Sequence, residues 1–270
     1  MDRSEPTDSG FQISGNSVDG PFQPTNQVQP TNQGLSPGPC SRVTYRAATH
    51  RDDYEGAFRI LQTRYLDSGL TRDTAAQVRV MPYHFWPQTQ VFIAVDDHRV
   101  IGSVSLVRDS QEHGLPMEST YRDSINRLRS TPLRLAEVCC LCVGAEKSYS
   151  SGELFSGLTR IMMFHARFSR VDSLVAVVHP RHGKFYRAAM GFAEIGGLAS
   201  YRQVAGQPGV PILGSVNDQT KYRLRWRQNY FVGQFTDEQL RAHTMSEIDR
   251  EYFRQQVANN FPGTTRRNAA

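Results

Sequence analysis

The chain has 270 residues, of which 39% are hydrophobic and 21% charged, with a formal net charge of +5. That is enough apolar material for one large domain or two small ones, and no run approaches the roughly 18 to 20 apolar residues needed to span a bilayer. The start, Met1-Asp-Arg-Ser-Glu-Pro6, lacks the charged-then-apolar layout of a secretory signal, so a soluble, cytoplasmic protein without an integral membrane segment is expected.

Residues 1–40 read as a disordered, low-complexity tail. They carry the repeat Gln23-Pro-Thr-Asn-Gln27 and Gln29-Pro-Thr-Asn-Gln33 and too little apolar surface to offset the entropy of ordering. A domain over 41–227 and a C-terminal helical extension and tail over 228–270 follow. Val43-Thr-Tyr-Arg-Ala-Ala48 predicts a first strand, and Thr49 with Asp52 a helix cap. Tyr54, Phe58, Leu61 and Tyr65 then recur at helical spacing, as a core-facing stripe does. Residues 66–90 are irregular and aromatic-rich, with Tyr83, His84, Phe85 and Trp86 suited either to lining a pocket or to packing a loop.

Val91-Phe-Ile-Ala-Val95 and Val100-Ile-Gly-Ser-Val-Ser-Leu-Val107, parted by Asp96-Asp-His-Arg99, predict a hairpin. A short helix over Pro116 to Ser130 follows, with Tyr121, Ile125 and Leu128 inward and Arg122, Arg127 and Arg129 outward. Leu133 to Phe192 then supplies strand, helix, strand and helix. Tyr201 to Gly214 and Tyr222 to Arg227 predict extended pieces, and Thr236-Asp-Glu-Gln239 caps a mostly polar helix reaching about Val257. The order specifies an α+β fold, a mixed central sheet flanked by helices.

Four cysteines are present, three of them at Cys139, Cys140 and Cys142. Adjacent strand residues point to opposite faces, and the spacing matches no zinc pair, so buried, reduced thiols and no metal site are expected. The basic residues are spread rather than blocked and no nucleic-acid recognition motif is present. An acidic protein or a phosphate-bearing substrate suits the charge equally well.

Glu137 stands in an otherwise apolar strand, where a carboxylate is paired, hydrogen-bonded or proton-carrying. It is a candidate general base; the alternative is a structural ion pair with an arginine. The turn Gly144 to Glu153 precedes a helix whose first amides suit a phosphate, with Lys147, Ser148, Ser151 and Gly152 as candidate contacts. His165 lies in register with Leu154, Leu158 and Ile161, as a satisfied core histidine would. His179, in His179-Pro-Arg-His182 at a strand end, is a candidate proton carrier or acceptor-orienting group, or simply a cap. Tyr186 is either a proton donor to a leaving thiolate or a packed aromatic. A covalent route through one of the clustered cysteines, activated by His179, is also open.

With these motifs in hand, Val91 to Phe192 resembles the GNAT-type acyltransferases, whose Phe-Tyr-x4-Gly-Phe ending stands here as Phe185-Tyr186 to Gly191-Phe192. Within them the chain looks most like the N-acyl amino acid synthases of the FeeM type, relatives of the autoinducer synthases. Gly114-Leu-Pro116, Arg134-Leu-Ala-Glu-Val138 and His179-Pro-Arg-His-x-x-Phe-Tyr186 carry that likeness over roughly Thr44 to Gly214.

The resemblance implies transfer of a medium or long acyl chain from acyl carrier protein to the amine of an amino acid or similar small amine. Glu137 would be the strand acid, Tyr186 the helix aromatic, and backbone amides near Leu141 to Val143 the oxyanion donors. The acyl-phosphopantetheine thioester is a co-substrate, and no resident cofactor is implied. Arg122, Arg127, Arg129, Arg181 and Lys184 would steer an acidic carrier.

Two departures stand out. Where the family commonly has Glu-x-Ser-Arg-Leu-x-Val, Cys139 and Cys140 replace the Ser and Arg. The turn also lacks the glycine-rich motif that wraps the pyrophosphate of coenzyme A, which suits a carrier-borne donor. The rival readings are an acetyl-coenzyme A-dependent N-acetyltransferase and a non-catalytic carrier-binding module.

Overall fold

The computed structural model describes residues 43–71, 76–146 and 148–260, with side chains up to residue 256. The N-terminal tail predicted from the sequence lies outside the described residues. Strands β1 (Thr44–Ala47), β2 (Thr89–Asp96), β3 (Arg99–Arg108), β4 (Leu135–Val143), β5 (Ser173–Val178) and β8 (Pro208–Ser215) form the body of one mixed sheet, with the two-residue strands β6 (Ala193–Glu194) and β7 (Ala199–Ser200) paired to β8. The order is β1-β2-β3-β4-β5-β8-β6. Among the described strands only β4 and β5 run parallel, joined by the crossover helix α3 (Ser151–Phe168).

Period-two alternation assigns each strand residue to a face. Phe92, Ala94, Ala136, Leu174 and Ala176 meet α3, α4 (Pro180–Met190) and α5 (Leu224–Phe231) in one cluster. Val91 and Ile93 turn the other way, toward α1 (Arg51–Asp67) and α7 (Glu247–Asn260), and Leu135 and Val175 toward α2 (Glu118–Arg129). The hairpin, the core-facing stripe of α1 and the inward set of α2 all form as the spacing predicts.

Three local readings are corrected. Helix α1 starts one residue later than expected, with His50 as its cap. Asp53 rather than Asp52 reaches back, accepting from the Thr49 and His50 amides at 3.0 and 3.3 Å while Arg46 grips it at 2.6 and 2.7 Å. Residues 224–227 are helical, not extended. Tyr222, Trp226 and Tyr230 recur every four residues and bury one stripe against α3, which overrides the aromatic preference for strands.

The last segment is two helices rather than one. Thr236 does cap with Gln239, but α6 (Asp237–Leu240) stops after one turn. His165 Nδ1–H donates to the Leu240 carbonyl at 2.8 Å, and the chain then crosses the sheet edge, where the His243 amide donates to Gln90 Oε1 at 2.6 Å. Helix α7 follows and buries Phe253 edge-on against Phe58, centroids 5.1 Å apart.

Candidate active site

The site begins where β4 and β5 part. Their parallel pairing covers only Leu135 to Glu137 against Ser173 to Val175. Beyond Glu137, β4 has no partner on its β5 side among the described residues. A bulge sits in the same stretch. Ser105 pairs with Cys139 and Ser103 with Cys142, so β4 holds one residue more than β3 there, and Cys140 takes a left-handed φ of 54°.

An inserted residue reverses the alternation of faces. Before it Glu137 and Cys139 face the α1/α2 side; after it Leu141 and Val143 face α3. The replacement of the family's Ser-Arg by two thiols falls on this bulge.

Glu137 is 1% exposed. Its Oε2 accepts the Met117 amide at 2.7 Å, and the Cys139 thiol hydrogen-bonds the same carboxyl. Among the described residues no arginine pairs with it. Burial raises its pKa from 4.5 to about 8 against the opposing pull of those two donors, with Glu118 adding to the rise. A carboxyl that titrates near neutrality is suited to moving a proton.

The carboxyl opens on a cavity of about 60 Å³ walled by Tyr65, Arg79, Tyr83, Cys140, Val177 and Tyr201. Tyr83 Oη lies 3.0 Å from Cys140 Sγ. Burial holds the Tyr65, Tyr83 and Tyr201 phenols and the Cys139 and Cys140 thiols in their protonated forms. Of the four aromatics noted between residues 66 and 90, only Tyr83 lines this space. His84 stacks on Phe58 and bonds Ser105, and Trp86 stacks on His113.

Arg79 and Tyr201 escaped the sequence reading, because nothing in their spacing brings them to β4. The Met117 amide escaped it too, since backbone donors leave no compositional trace.

Tyr186 is not in the cavity. It lies on the α3/α4 face with Phe155, Phe185 and Phe192, ring centroids 5.4 to 6.4 Å away. Burial pushes its phenol up to about 12. The opening between β4 and β5 separates it from Glu137, so the two candidates stand on opposite faces of the sheet.

His179 is exposed and caps α4, accepting the Arg181 amide at 3.3 Å; slight burial and the Arg181 charge lower its pKa. Gly191 ends that helix at φ 66°, where a Cβ would lie 2.7 Å from the Lys221 carbonyl oxygen, which accounts for the glycine of the Phe-Tyr-x4-Gly-Phe ending.

Ser151 and Gly152 form the first turn of α3, while Ser148 is exposed in the preceding turn and Lys147 lies outside the described residues. Ser150 caps the helix, and the Glu153 carboxylate accepts both the Ser150 amide and its hydroxyl at 2.8 Å. His165 is a satisfied core histidine, bonded to the Leu240 carbonyl and Ser169 Oγ, with burial lowering its pKa to about 4. Among the described residues no cluster of three His, Cys, Asp or Glu side chains is placed to hold a metal ion. Among the described residues no helix is long and apolar enough to cross a membrane.

Residues 56–214, the stretch holding both faces of this opening, match the family model described as N-acyl amino acid synthase FeeM. The chain belongs to that family. It is therefore an acyltransferase of the N-acyl amino acid synthase type. Among solved structures it is similar to FeeM, an N-acyl amino acid synthase from uncultured soil microbes, at 24% identity and a TM-score of 0.60, over 68% of this chain and 97% of that one. The AHL synthase LasI aligns at 11% identity and a TM-score of 0.53, over 72% of this chain and 96% of that one. MesI, a CoA-dependent acyl-homoserine lactone synthase, aligns at 16% and 0.52, over 71% and 97%. These likenesses show the GNAT-like fold shared by FeeM and the autoinducer synthases. No curated protein sequence matches the chain.

Proposed function

We propose that the protein transfers a medium or long acyl chain from acyl carrier protein to the amine of an amino acid or similar small amine, in the cytoplasm. The observation that carries this reading is the placing of Glu137. It is a buried carboxyl, tuned toward neutrality, at the point where two parallel strands part and leave one strand edge unpaired.

The acceptor enters from the Glu137 cavity, and the thioester from the α3/α4 face, with its carbonyl carbon in the opening. The amine nitrogen attacks that carbon, and Glu137 takes the amine proton directly or through one water. Backbone amides near Leu141 and Val143 stabilise the oxyanion. The C–S bond then breaks. Tyr186, held protonated by burial on the donor side, gives its proton to the departing thiolate and recovers it by way of solvent. His179, at the exposed start of α4, orients the acceptor or relays protons. The acyl-phosphopantetheine thioester is a co-substrate, with its phosphate at Ser148, Ser151 and Gly152.

Glu153 favours a carrier protein over coenzyme A. Its carboxylate sits at the start of α3, so the single phosphate of a carrier-borne arm meets less repulsion there than the more highly charged pyrophosphate of coenzyme A. Arg122, Arg127, Arg181 and Lys184 are exposed and pair with no carboxylate among the described residues, although Arg127 donates to Ser124 Oγ and the Ile195 carbonyl and Arg181 to His182, and this exposed set suits an acidic carrier. Arg129 is spent on Asp109 and Glu118. Acetyl-coenzyme A is the second donor to test, because MesI is named as CoA-dependent.

The test is thiol release from palmitoyl-carrier protein and from acetyl-coenzyme A, each with and without pooled amino acids. Release from the carrier that depends on amino acids is expected. Release only from acetyl-coenzyme A reassigns the donor, and release from neither leaves carrier binding without catalysis.

A further inference from the structure

The cavity beside Glu137 contains a cation that acyl transfer, as described, leaves unused. A guanidinium carries five donors in a planar fork. Arg79 spends Nη2 on the Gln203 carbonyl at 2.7 Å, and its guanidinium carbon lies 4.8 Å from the centre of the Tyr65 ring. Its Nε is shielded from solvent and has no hydrogen-bond partner among the described residues.

Several other arginines of this chain hold carboxylates, Arg250 among them although its Nε is likewise unbonded among the described residues. Arg46 holds Asp53, Arg129 holds Asp109 and Glu118, and Arg134 holds Asp172. Arg79 pairs with no carboxylate among the described residues, although Glu137 lines the same cavity. That carboxyl is occupied by the Met117 amide and the Cys139 thiol instead.

A sheltered guanidinium with unspent donors is costly to keep, and its fork fits a carboxylate in two-bonded geometry. The remaining polar wall reinforces this. Tyr65, Tyr83 and Tyr201 stay protonated, so none of them supplies a competing anion. The cavity therefore presents one proton acceptor for an amine, Glu137, and one unmatched cation for an anion, Arg79. An α-amino acid carries both complementary groups on a single carbon.

We propose that Arg79 binds the carboxylate of the acceptor, restricting the enzyme to free α-amino acids over simple amines and amino acids with a blocked carboxylate. The acceptor's role in turnover rests on the acyl-transfer reading, whereas the carboxylate site itself is testable without turnover. The experiment is calorimetric titration of the full-length protein with free amino acids, and with the amide and the decarboxylated amine of each, with and without holo-carrier protein. It is repeated on Arg79→Met and Arg79→Lys.

At least one free amino acid is expected to bind wild type ten-fold or more tightly than its amide. Arg79→Met should erase that difference while binding the amide as wild type does, and Arg79→Lys should restore part of it. Equal binding of acid and amide by wild type overturns the assignment, as does equal weakening of both by Arg79→Met, or failure of every free amino acid to bind. Thiol release is measured in parallel. Arg79-dependent binding without any transfer would sink the acyl-transfer reading and leave the carboxylate site standing. Transfer to amides and amines as fast as to free acids would do the reverse.

Discussion

The Met117 amide donates to Oε2 of Glu137 at 2.7 Å, and it is positioned by a turn that a second acid locks. Glu118 Oε1 accepts the Leu115 amide at 2.7 Å, and Arg129 clamps Glu118 to Asp109. The start of α2 is thus held rigid over the only charged residue of the β4 segment Leu135–Val143. The Met117 amide and the Cys139 thiol together do not outweigh complete burial, so the carboxyl remains a proton carrier rather than a fixed anion.

Glu137→Gln removes the proton acceptor while keeping the shape. Turnover at saturating substrates is expected to fall 10²-fold or more, within the usual range for loss of a general base. Wild-type kcat should rise with pH to an inflection near 8, the pKa to which burial lifts the carboxyl, and the variant should lose that inflection. A pH-rate profile of both proteins checks this, and a wild-type rate in the variant would remove Glu137 from the mechanism.

The same residue has a signature in stability. Its carboxyl titrates near 4.5 when unfolded and near 8 when folded, so between these values the folded state keeps a proton that the unfolded state has released. Stability from this group is fully present below pH 4.5 and lost as pH rises through 8. Relative to wild type, Glu137→Gln should therefore gain stability across that window, by a few kcal/mol on the order given by the shift. Urea unfolding at pH 5 and pH 8.5 measures it.

Cys140 occupies a position where φ is 54°, a conformation glycine adopts without strain. Burial raises its thiol pKa, which leaves little thiolate to attack a thioester. Cys140→Gly is expected to keep turnover within about three-fold, since its thiol takes no part in the proton transfers. Mass spectrometry of enzyme quenched during turnover should show no acyl adduct. An adduct on wild type that Cys140→Gly abolishes would establish the covalent route instead.

How much of this was legible depended on the range of the interaction. The apolar runs of β2, β4 and β5 and the i, i+4 stripes of α1 and α2 report burial that each segment signals alone. Glu137 stood out because a charge within an apolar strand violates that pattern. The segment 222–227 misled because aromatic residues suit strands, and only the contact of Trp226 and Tyr230 with α3 decides for a helix. The break after Leu240 depends on a histidine 75 residues earlier in the chain. Arg79 is hidden for a similar reason. It lies in an irregular segment, and its significance comes from the carboxylate it does not meet.

Tyr186 distinguishes a donor-side role from packing. Its ring belongs to an aromatic cluster, so Tyr186→Phe keeps the packing and removes only the hydroxyl. Turnover with a thioester should drop about ten-fold or more if the phenol protonates the thiolate, with the melting temperature nearly unchanged. A more acidic thiol leaving group should recover much of the loss. A drop that does not depend on the leaving group would limit Tyr186 to packing.

The C-terminal helix provides a test of the fold as a unit. Phe253 is fully buried, edge-on to Phe58, in the cluster that also holds Ile93 and Met245. Phe253→Ala leaves a cavity there and is expected to cost about 3–5 kcal/mol. Because Phe58 also stacks on His84, at 4.6 Å between centroids, the loss reaches the segment that carries Arg79 and Tyr83. Amide exchange in residues 76–85 should therefore accelerate along with that of α7. If α7 alone exchanges faster while 76–85 keeps its protection, the helix is an independent appendage to the active-site wall.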